Sequence, residues 1–289
     1  MTKIFTTIGL VLTVIIIVLF NHLTGFELHS FTLLFIIPVG GLLVGAMSSA
    51  GMFYGYLRYN KPVNKNHYLL GALLGAVAFF GIYYVSYLTT YVGPDNEINY
   101  SFKGDPISYY EIDGEQITFS KYLQLTKQAK SHFYFRGRPV GEDVNTGEGT
   151  NTFFFYLQLL SAVLAGVCVG LVIVGDKRYC ENCKKYTKEK ELFKFDIDQY
   201  EDSVRDLADA VDDTKALQEI IKTTHLKEEK VNAFAQVDLE YCPNCHDSRL
   251  LVKVFKLDSN NGFEEVAKFK QIIKIKNETA RTILSDIKS

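Results

Sequence analysis

Tyr179–Tyr186 reads Tyr-Cys-Glu-Asn-Cys-Lys-Lys-Tyr and Tyr241–His246 reads Tyr-Cys-Pro-Asn-Cys-His; both lie beyond four long apolar stretches. Each Cys-x-x-Cys knuckle offers two thiolates from one tight turn. Two knuckles together supply the four soft ligands that tetrahedral zinc takes at about 2.3 Å. The expected ligands are therefore Cys180, Cys183, Cys242 and Cys245, holding a structural Zn2+. Redox dithiols and an iron centre are the alternatives. A thioredoxin-type first thiol opens a helix, whereas Lys190–Phe195 and Leu250–Leu257, after the two knuckles, look extended. Four protein sulfurs leave no position for water, so such a site contributes folding energy rather than catalysis. His246 adjoins Cys245 and is read as an exposed imidazole in preference to a substitute ligand.

Outward from the knuckles, the composition divides in two. The 289 residues carry a net charge of -2, with no global pull towards nucleic acid. The apolar fraction of 47% averages a first part rich in long apolar runs and a second rich in charge, which meet at Gly175–Asp176. All cysteines lie from Cys168 onwards, as a reducing cytosol would favour. Cys168, between Val167 and Val169, is read as a small buried packing residue.

The apolar runs are Ile4–Phe20, Phe31–Leu57, Tyr68–Val92 and Phe153–Gly175, each long enough to cross a hydrocarbon core of about 30 Å. No small-x-small cleavage site follows the first, which favours a retained anchor over a signal peptide. Lys3, the loop with Arg58, Lys61 and Lys65, and the Lys177-Arg178 pair fall on one side of a four-span chain. The positive-inside rule then places both termini in the cytoplasm, in a cell membrane of bacterial inner-membrane type. Tyrosines near both ends of the runs fit two interfacial belts. Gly41/Gly45, Gly51/Gly55, Gly71/Gly75 and Gly166/Gly170 suit close helix packing, within one bundle or across a dimer. Pro38 with Gly40 and Gly41 is a candidate break in the second run. No Asp, Glu, Lys or Arg interrupts the apolar bodies, which weakens ion transport and intramembrane catalysis.

The expected organisation is three spans in 1–92, an extracytoplasmic loop or cap in 93–152, a fourth span in 153–175 and a cytosolic domain in 176–289. In the cap, Asp113-Gly114 predicts a hairpin and Ser120 a helix N-cap; Asn99-Tyr100-Ser101 matches a glycosylation acceptor, and Arg136 and Arg138 are candidate anion contacts read as solvated. His132–Phe135 reads as extended chain. Between the knuckles, an acidic insertion at about 197–225 carries two apolar stripes, Ile197/Tyr200/Val204/Leu207/Val211 and Leu217/Ile220/Ile221/Thr224. They are read as packing on the ribbon, with partner binding or self-association as the functional alternative. Val231–Tyr241 predicts a strand, Asn260-Asn261-Gly262 a hairpin joining Leu250–Leu257 to Phe263–Ile275, and Asn277 the cap of a final helix. Lys253, Lys256, Lys268, Lys270, Lys274 and Lys276 make this end basic, for internal complementarity first, lipid headgroups second and nucleic acid last.

The fold class is thus an α-helical membrane bundle of four transmembrane helices plus a small α+β cytosolic zinc-ribbon-like domain with a helical insertion. The order of parts, with Tyr-Cys-Glu-Asn-Cys and Tyr-Cys-Pro-Asn-Cys, resembles uncharacterised bacterial multi-pass membrane proteins with an appended zinc ribbon. That resemblance implies no activity. The leading expectation is a non-enzymatic protein of the lipid bilayer whose zinc-stabilised module binds a protein partner. The runner-up is a small transporter or channel component regulated by its ribbon. No nucleic acid and no small-molecule substrate is expected.

Overall fold

The computed structural model describes residues 2–33, 36–94, 98–99, 103–112, 114–128, 134–135, 138–139, 148–175, 177–224, 232–258 and 262–286. The chain divides into two compact units, Met1–Asp176 and Lys177–Ser289.

The first unit is built on α1 (Thr2–Thr24), α2 (Val39–Arg58), α3 (Lys65–Leu88), the short α4 (Phe119–Gln128) and α5 (Glu148–Val174). Three of these, α1, α3 and α5, are long and apolar enough to cross a membrane. The 20-residue α2 carries glycine, serine and tyrosine where the others carry leucine, isoleucine and phenylalanine. It is nevertheless the helix that touches α1, α3 and α5 alike. Gly9 meets Ser48 and Gly51, so α1 and α2 run antiparallel; Gly41 and Gly45 meet Gln158 and Ala162, so α2 and α5 run parallel; Gly71 meets Gly166, so α3 opposes α5. Thr2 and Val174 consequently lie at the same end of the bundle.

Close approach of backbones sets these crossings. A methyl on Gly45 would overlap the Ala162 carbonyl, and one on Gly71 or Gly166 would overlap the other's carbonyl oxygen. The glycine pairs therefore serve packing inside one chain. Isoleucines and leucines such as Ile4, Ile15, Leu69, Leu73, Leu160 and Leu171 face outward, giving the bundle an apolar exterior. Cys168 also lies on that exterior, not in the core, because the inward face of α5 is formed by Ala162, Gly166 and Gly170.

Among the described residues of the second apolar run, the helix begins at Val39. Proline lacks an N–H and disfavours helix for the residue before it, so Pro38 stands at the N-cap. Upstream, Leu28–Ser30 forms a 3-10 turn, Leu33 pairs with Ile37, and Gly40 N–H reaches back to the Phe31 carbonyl at 2.9 Å. Polar backbone exposed by that break is satisfied by Gln158 of α5, which is 2% exposed. Its Oε1 accepts from Gly41 N–H at 2.5 Å, and its Nε2 lies 3.1, 3.0 and 2.8 Å from the Ser30 carbonyl, the Phe31 carbonyl and Thr32 Oγ1.

The cap packs on one end of this bundle through Phe119, Tyr122 and Leu123. Glu111–Ile112 pairs with Glu115–Gln116 as the turn chemistry predicts, and Tyr134–Phe135 pairs with Arg138–Pro139. Helix α4 starts at Phe119, so Ser120 is inside it; Thr118 Oγ1 accepts from Lys121 N–H at 3.4 Å instead. Asp113, Tyr100, Ser101, His132, Phe133, Arg136, Asp176, Asn260 and Asn261 lie outside the described residues.

In the second unit, strands β1 (Tyr179–Cys180) and β2 (Lys185–Tyr186) form a minimal hairpin. An antiparallel sheet follows, with β3 (Lys188–Asp196), β4 (Ala233–Tyr241) and β5 (Ser248–Leu257) in order, and β6 (Phe263–Glu265) and β7 (Gln271–Ile275) both pairing with β5. The expected single strand Phe263–Ile275 is thus split by the 3-10 turn Ala267–Phe269. One sheet face (Phe193, Phe195, Ala235, Val237, Leu239, Leu250, Val252, Val254) is covered by α6 (Tyr200–Asp209), α7 (Thr214–Thr223) and α8 (Asn277–Asp286). Asp213 caps α7, its carboxylate accepting from Lys215 and Ala216 N–H. Both stripes of the insertion, from Ile197 to Ile221, pack on this core.

The other sheet face carries charge pairs beside an apolar patch of Phe234, Leu251 and Phe255. Lys253 Nζ lies 2.8 Å from Asp238 Oδ2 and 2.9 Å from Glu189 Oε2, while Arg249 pairs with the buried Glu240. Burial lowers the Lys253 pKa, but Asp238 and Glu189 outweigh it and hold the ammonium above its usual value. Internal charge complementarity therefore lies within the sheet and leaves the outward acids of α6 uncommitted to these lysines.

Two substitutions, each with a milder control, test the bundle. Gly45→Val should cost about 1–3 kcal/mol by overpacking, read as a lowered thermal midpoint in detergent. Gly81→Ala meets only the Val14 side chain at 3.4 Å and should be tolerated. Gln158→Leu strands the Gly41 N–H and the Ser30 carbonyl, at about 1–3 kcal/mol for each group left unpaired, while the Phe31 carbonyl keeps its bond from Gly40 N–H. It should lower the midpoint more than Thr32→Val, which removes one of those bonds.

Candidate metal centre

Two turns with the same construction build the site. In the first, β1 delivers Cys180 and the chain turns back through Cys183, after which Lys184 adopts a left-handed backbone with φ 52°. In the second, β4 delivers Cys242 and His246 follows Cys245 with φ 58°. Left-handed geometry costs a non-glycine residue about 1–2 kcal/mol. Here it closes a turn in which His246 N–H donates to the Cys242 carbonyl at 3.0 Å, and Cys242 N–H to the Asp247 carbonyl at 3.0 Å.

The four sulfurs lie within 4.8 Å of one another. Cys180 and Cys245 are 3.7 Å apart at Sγ, far beyond a disulfide and close to the edge of about 3.8 Å of a tetrahedron with 2.3 Å metal–sulfur bonds. Cys180 and Cys242 are buried, Cys183 and Cys245 half-buried. Such a group is able to hold a metal ion, and four thiols without histidine or carboxylate favour a soft one.

The thiols' protonation points the same way. Burial pushes the Cys242 thiol up, but backbone N–H groups of Cys245 and Asn244, with the Cys245 and Cys180 thiols, donate to its sulfur and bring it down to about 7. Cys183 is pushed up to about 12, first by its hydrogen bond with Cys245 and then by burial. One thiolate is thus favoured and its neighbours retain protons as donors to it. Four thiolates this close need a cation to replace those protons.

Contacts across the two turns hold them in register. Arg178 Nη2 lies 2.5 Å from Asp247 Oδ2, and Lys185 Nζ donates to Asn244 Oδ1 at 3.0 Å. Thr187 ties β2 to the sheet, its N–H donating to the Arg178 carbonyl and its hydroxyl to Glu240 Oε1 at 2.6 Å. Sequence reasoning passed over these residues. Their signal was present, since a basic residue two before the first cysteine and an acidic one two after the last suit an ion pair.

His246 is half-buried, with Nδ1 inaccessible and lacking a hydrogen-bond partner, and it is not in the cluster. The expectation of an exposed imidazole is therefore only partly met. The core beneath α6–α8 contains none of the four cysteines, so the sheet is consolidated independently of the knuckles.

No family model, curated protein or solved structure matches the chain.

Elemental analysis of the purified full chain should find one zinc per polypeptide, absent from a Cys180→Ser/Cys242→Ser variant. Because the core excludes the cysteines, that variant should keep the β-sheet signal in circular dichroism while the Lys177–Tyr186 segment loses protection from proteolysis.

Proposed function

We propose that the chain is a four-span membrane protein, with α2 as the fourth crossing and both termini in the cytoplasm, whose second unit is a zinc-ribbon-like module that binds a protein partner. The observation that carries this reading is the closed four-cysteine cluster on a domain joined to a bundle with an apolar exterior. With every coordination position filled by protein sulfur, zinc supplies shape, and the module acts by presenting a surface.

Support for four crossings comes from α2 itself. Its 20 residues rise about 30 Å, it carries no charge before Arg58, and it packs between helices that qualify as spans. With α1 and α3 running one way and α2 and α5 the other, an even number of crossings brings Lys3, Arg58, Lys65 and Lys177 to one side, which the positive-inside rule assigns to the cytoplasm.

The presented surface is the acidic exterior of α6. Its apolar stripe is buried in the core, and Glu201, Asp202, Asp206 and Asp209 face outward with only Arg205 among them. A partner matching it would be basic, and charge would govern its approach more than apolar burial.

Affinity capture with the full chain in detergent tests this. A partner retained by the native protein should be lost on Glu201→Lys/Asp202→Lys/Asp206→Lys, with zinc content unchanged. A partner set indifferent to these changes would remove the acidic helix from the proposal.

A further inference from the structure

Large apolar side chains that stand out to solvent are confined, among the described residues of the second unit, to one stretch: Phe263 and Phe269, each 46% exposed, and Ile272, 54% exposed. All three lie along a single edge of the sheet. Phe263 of β6 sits opposite Leu257 and Ile272 of β7 opposite Leu251, both on β5, with Phe269 in the 3-10 turn between them. The two registers are six positions apart on β5, so the row extends about 20 Å.

Alternation along β7 fixes which face the row borders. Ile273 and Ile275 pack toward the helix-covered core, so Ile272 and Lys274 share the opposite face. There Phe263 meets Phe234 edge-on at 4.9 Å, and Phe234 stacks on Phe255 at 5.3 Å. The exposed row is thus the rim of the apolar patch on the sheet face that no helix covers.

Its charge is of one sign. Residues 266–276 hold Lys268, Lys270, Lys274 and Lys276 and no acid. Lys268 and Lys270 flank Phe269, and Lys274 stands two places beyond Ile272. Carboxylates nearby are matched within the chain: Glu265 lies 3.8 Å from Lys270 Nζ, while Asp238 and Glu189 hold Lys253. Lysines on their own would guard an edge strand against pairing with another chain. Exposed phenylalanine and isoleucine do the reverse, so guarding does not account for the row. Apolar side chains interleaved with lysine suit a lipid–water interface, where rings and methyls enter among the acyl chains and ammonium groups stay at the headgroups. Only residues 175–178 separate α5, a helix apolar and long enough to cross a membrane, from β1. That tether holds the unit at high effective concentration beside the bilayer around α5.

We propose that the edge formed by β6, the turn and β7 docks on an anionic lipid surface, with Phe263, Phe269 and Ile272 entering the interface and Lys268, Lys270 and Lys274 meeting the headgroups. The proposal rests on the bundle lying in a bilayer, and on neither the metal nor the acidic exterior of α6. Tyr200 bounds the docking edge: its hydroxyl donates to the Phe269 carbonyl at 2.5 Å, and the acids of α6 begin beside it. Pairing with the same edge of a second copy is disfavoured because it sets lysine against lysine.

The chain contains no tryptophan, so Phe269→Trp, or Ile272→Trp away from the Tyr200 contact, supplies a sole fluorescent reporter. The full chain is placed at one copy per lipid nanodisc, in phosphatidylcholine alone or mixed equally with phosphatidylglycerol. Incorporation into the discs checks the membrane reading separately. Emission of either reporter should move to shorter wavelength in the anionic discs and be quenched there by brominated acyl chains, and should stay at its water-exposed position in phosphatidylcholine. Lys188→Trp, on the opposite edge of the sheet, should emit alike in both. Adding Lys268→Glu/Lys270→Glu/Lys274→Glu to a reporter should abolish the shift with circular dichroism unchanged. No shift from either reporter in anionic discs, an equal shift in both lipids, or a shift surviving the charge reversals would overturn the proposal. So would a shift seen only when two copies share a disc, or one produced by single-stranded DNA in phosphatidylcholine discs.

Discussion

A polar group withdrawn from water must find its partner inside the chain, and both units are organised around that requirement. Gln158 shows it most directly. One amide side chain of α5 takes up the Gly41 N–H in the first turn of α2 and bonds the carbonyls of Ser30 and Phe31 before it. Without it, the irregular stretch before Val39 would leave bare backbone among apolar helices. With it, α2 can begin late and still pack against α1, α3 and α5. The sheet domain answers the same requirement by pairing Asp238 and Glu240 with Lys253 and Arg249. The cysteine cluster answers it by sharing protons among thiols, an arrangement that a single divalent cation replaces more completely.

Patterns with a short repeat were legible from residues alone. Apolar runs located α1, α3 and α5, alternation in Val231–Tyr241 located β4, the extended look of Lys190–Phe195 and Leu250–Leu257 located β3 and β5, and the stripes from Ile197 to Ile221 located α6 and α7 with their buried faces. Cysteine spacing located the cluster, because two knuckles followed by extended chain leave few ways to arrange four sulfurs. What escaped were features decided by partners far along the chain. Gln158 reads as an incidental polar residue until the break at Pro38 is seen beside it. Cys168 sits in a run apolar on every side, where sequence cannot tell an inward face from an outward one. Ser120 lost the capping role to Thr118 because α4 starts where Phe119 meets the bundle. The split between β6 and β7 depends on both pairing with β5, which no local pattern encodes.

The two faces of the sheet divide labour. One is apolar and sealed by three helices, so stability resides there. The other carries the charge ladder, and at its end the two knuckles meet. The insertion joins these roles, since its stripe completes the core while its acidic exterior stays available. A helix pair whose apolar side is already committed could serve the partner binding we propose through charge, without unfolding.

Because β3 and β4 are zipped together by their own hydrogen bonds, the long excursion between Cys183 and Cys242 is already closed before any ion arrives. The entropy of bringing distant thiols together has therefore been met by the sheet. Such a centre could lose its ion under chelation and regain it with only the knuckles reordering, the sheet staying folded throughout. Occupancy would then follow the free metal ion of the surroundings and not the history of the chain's synthesis.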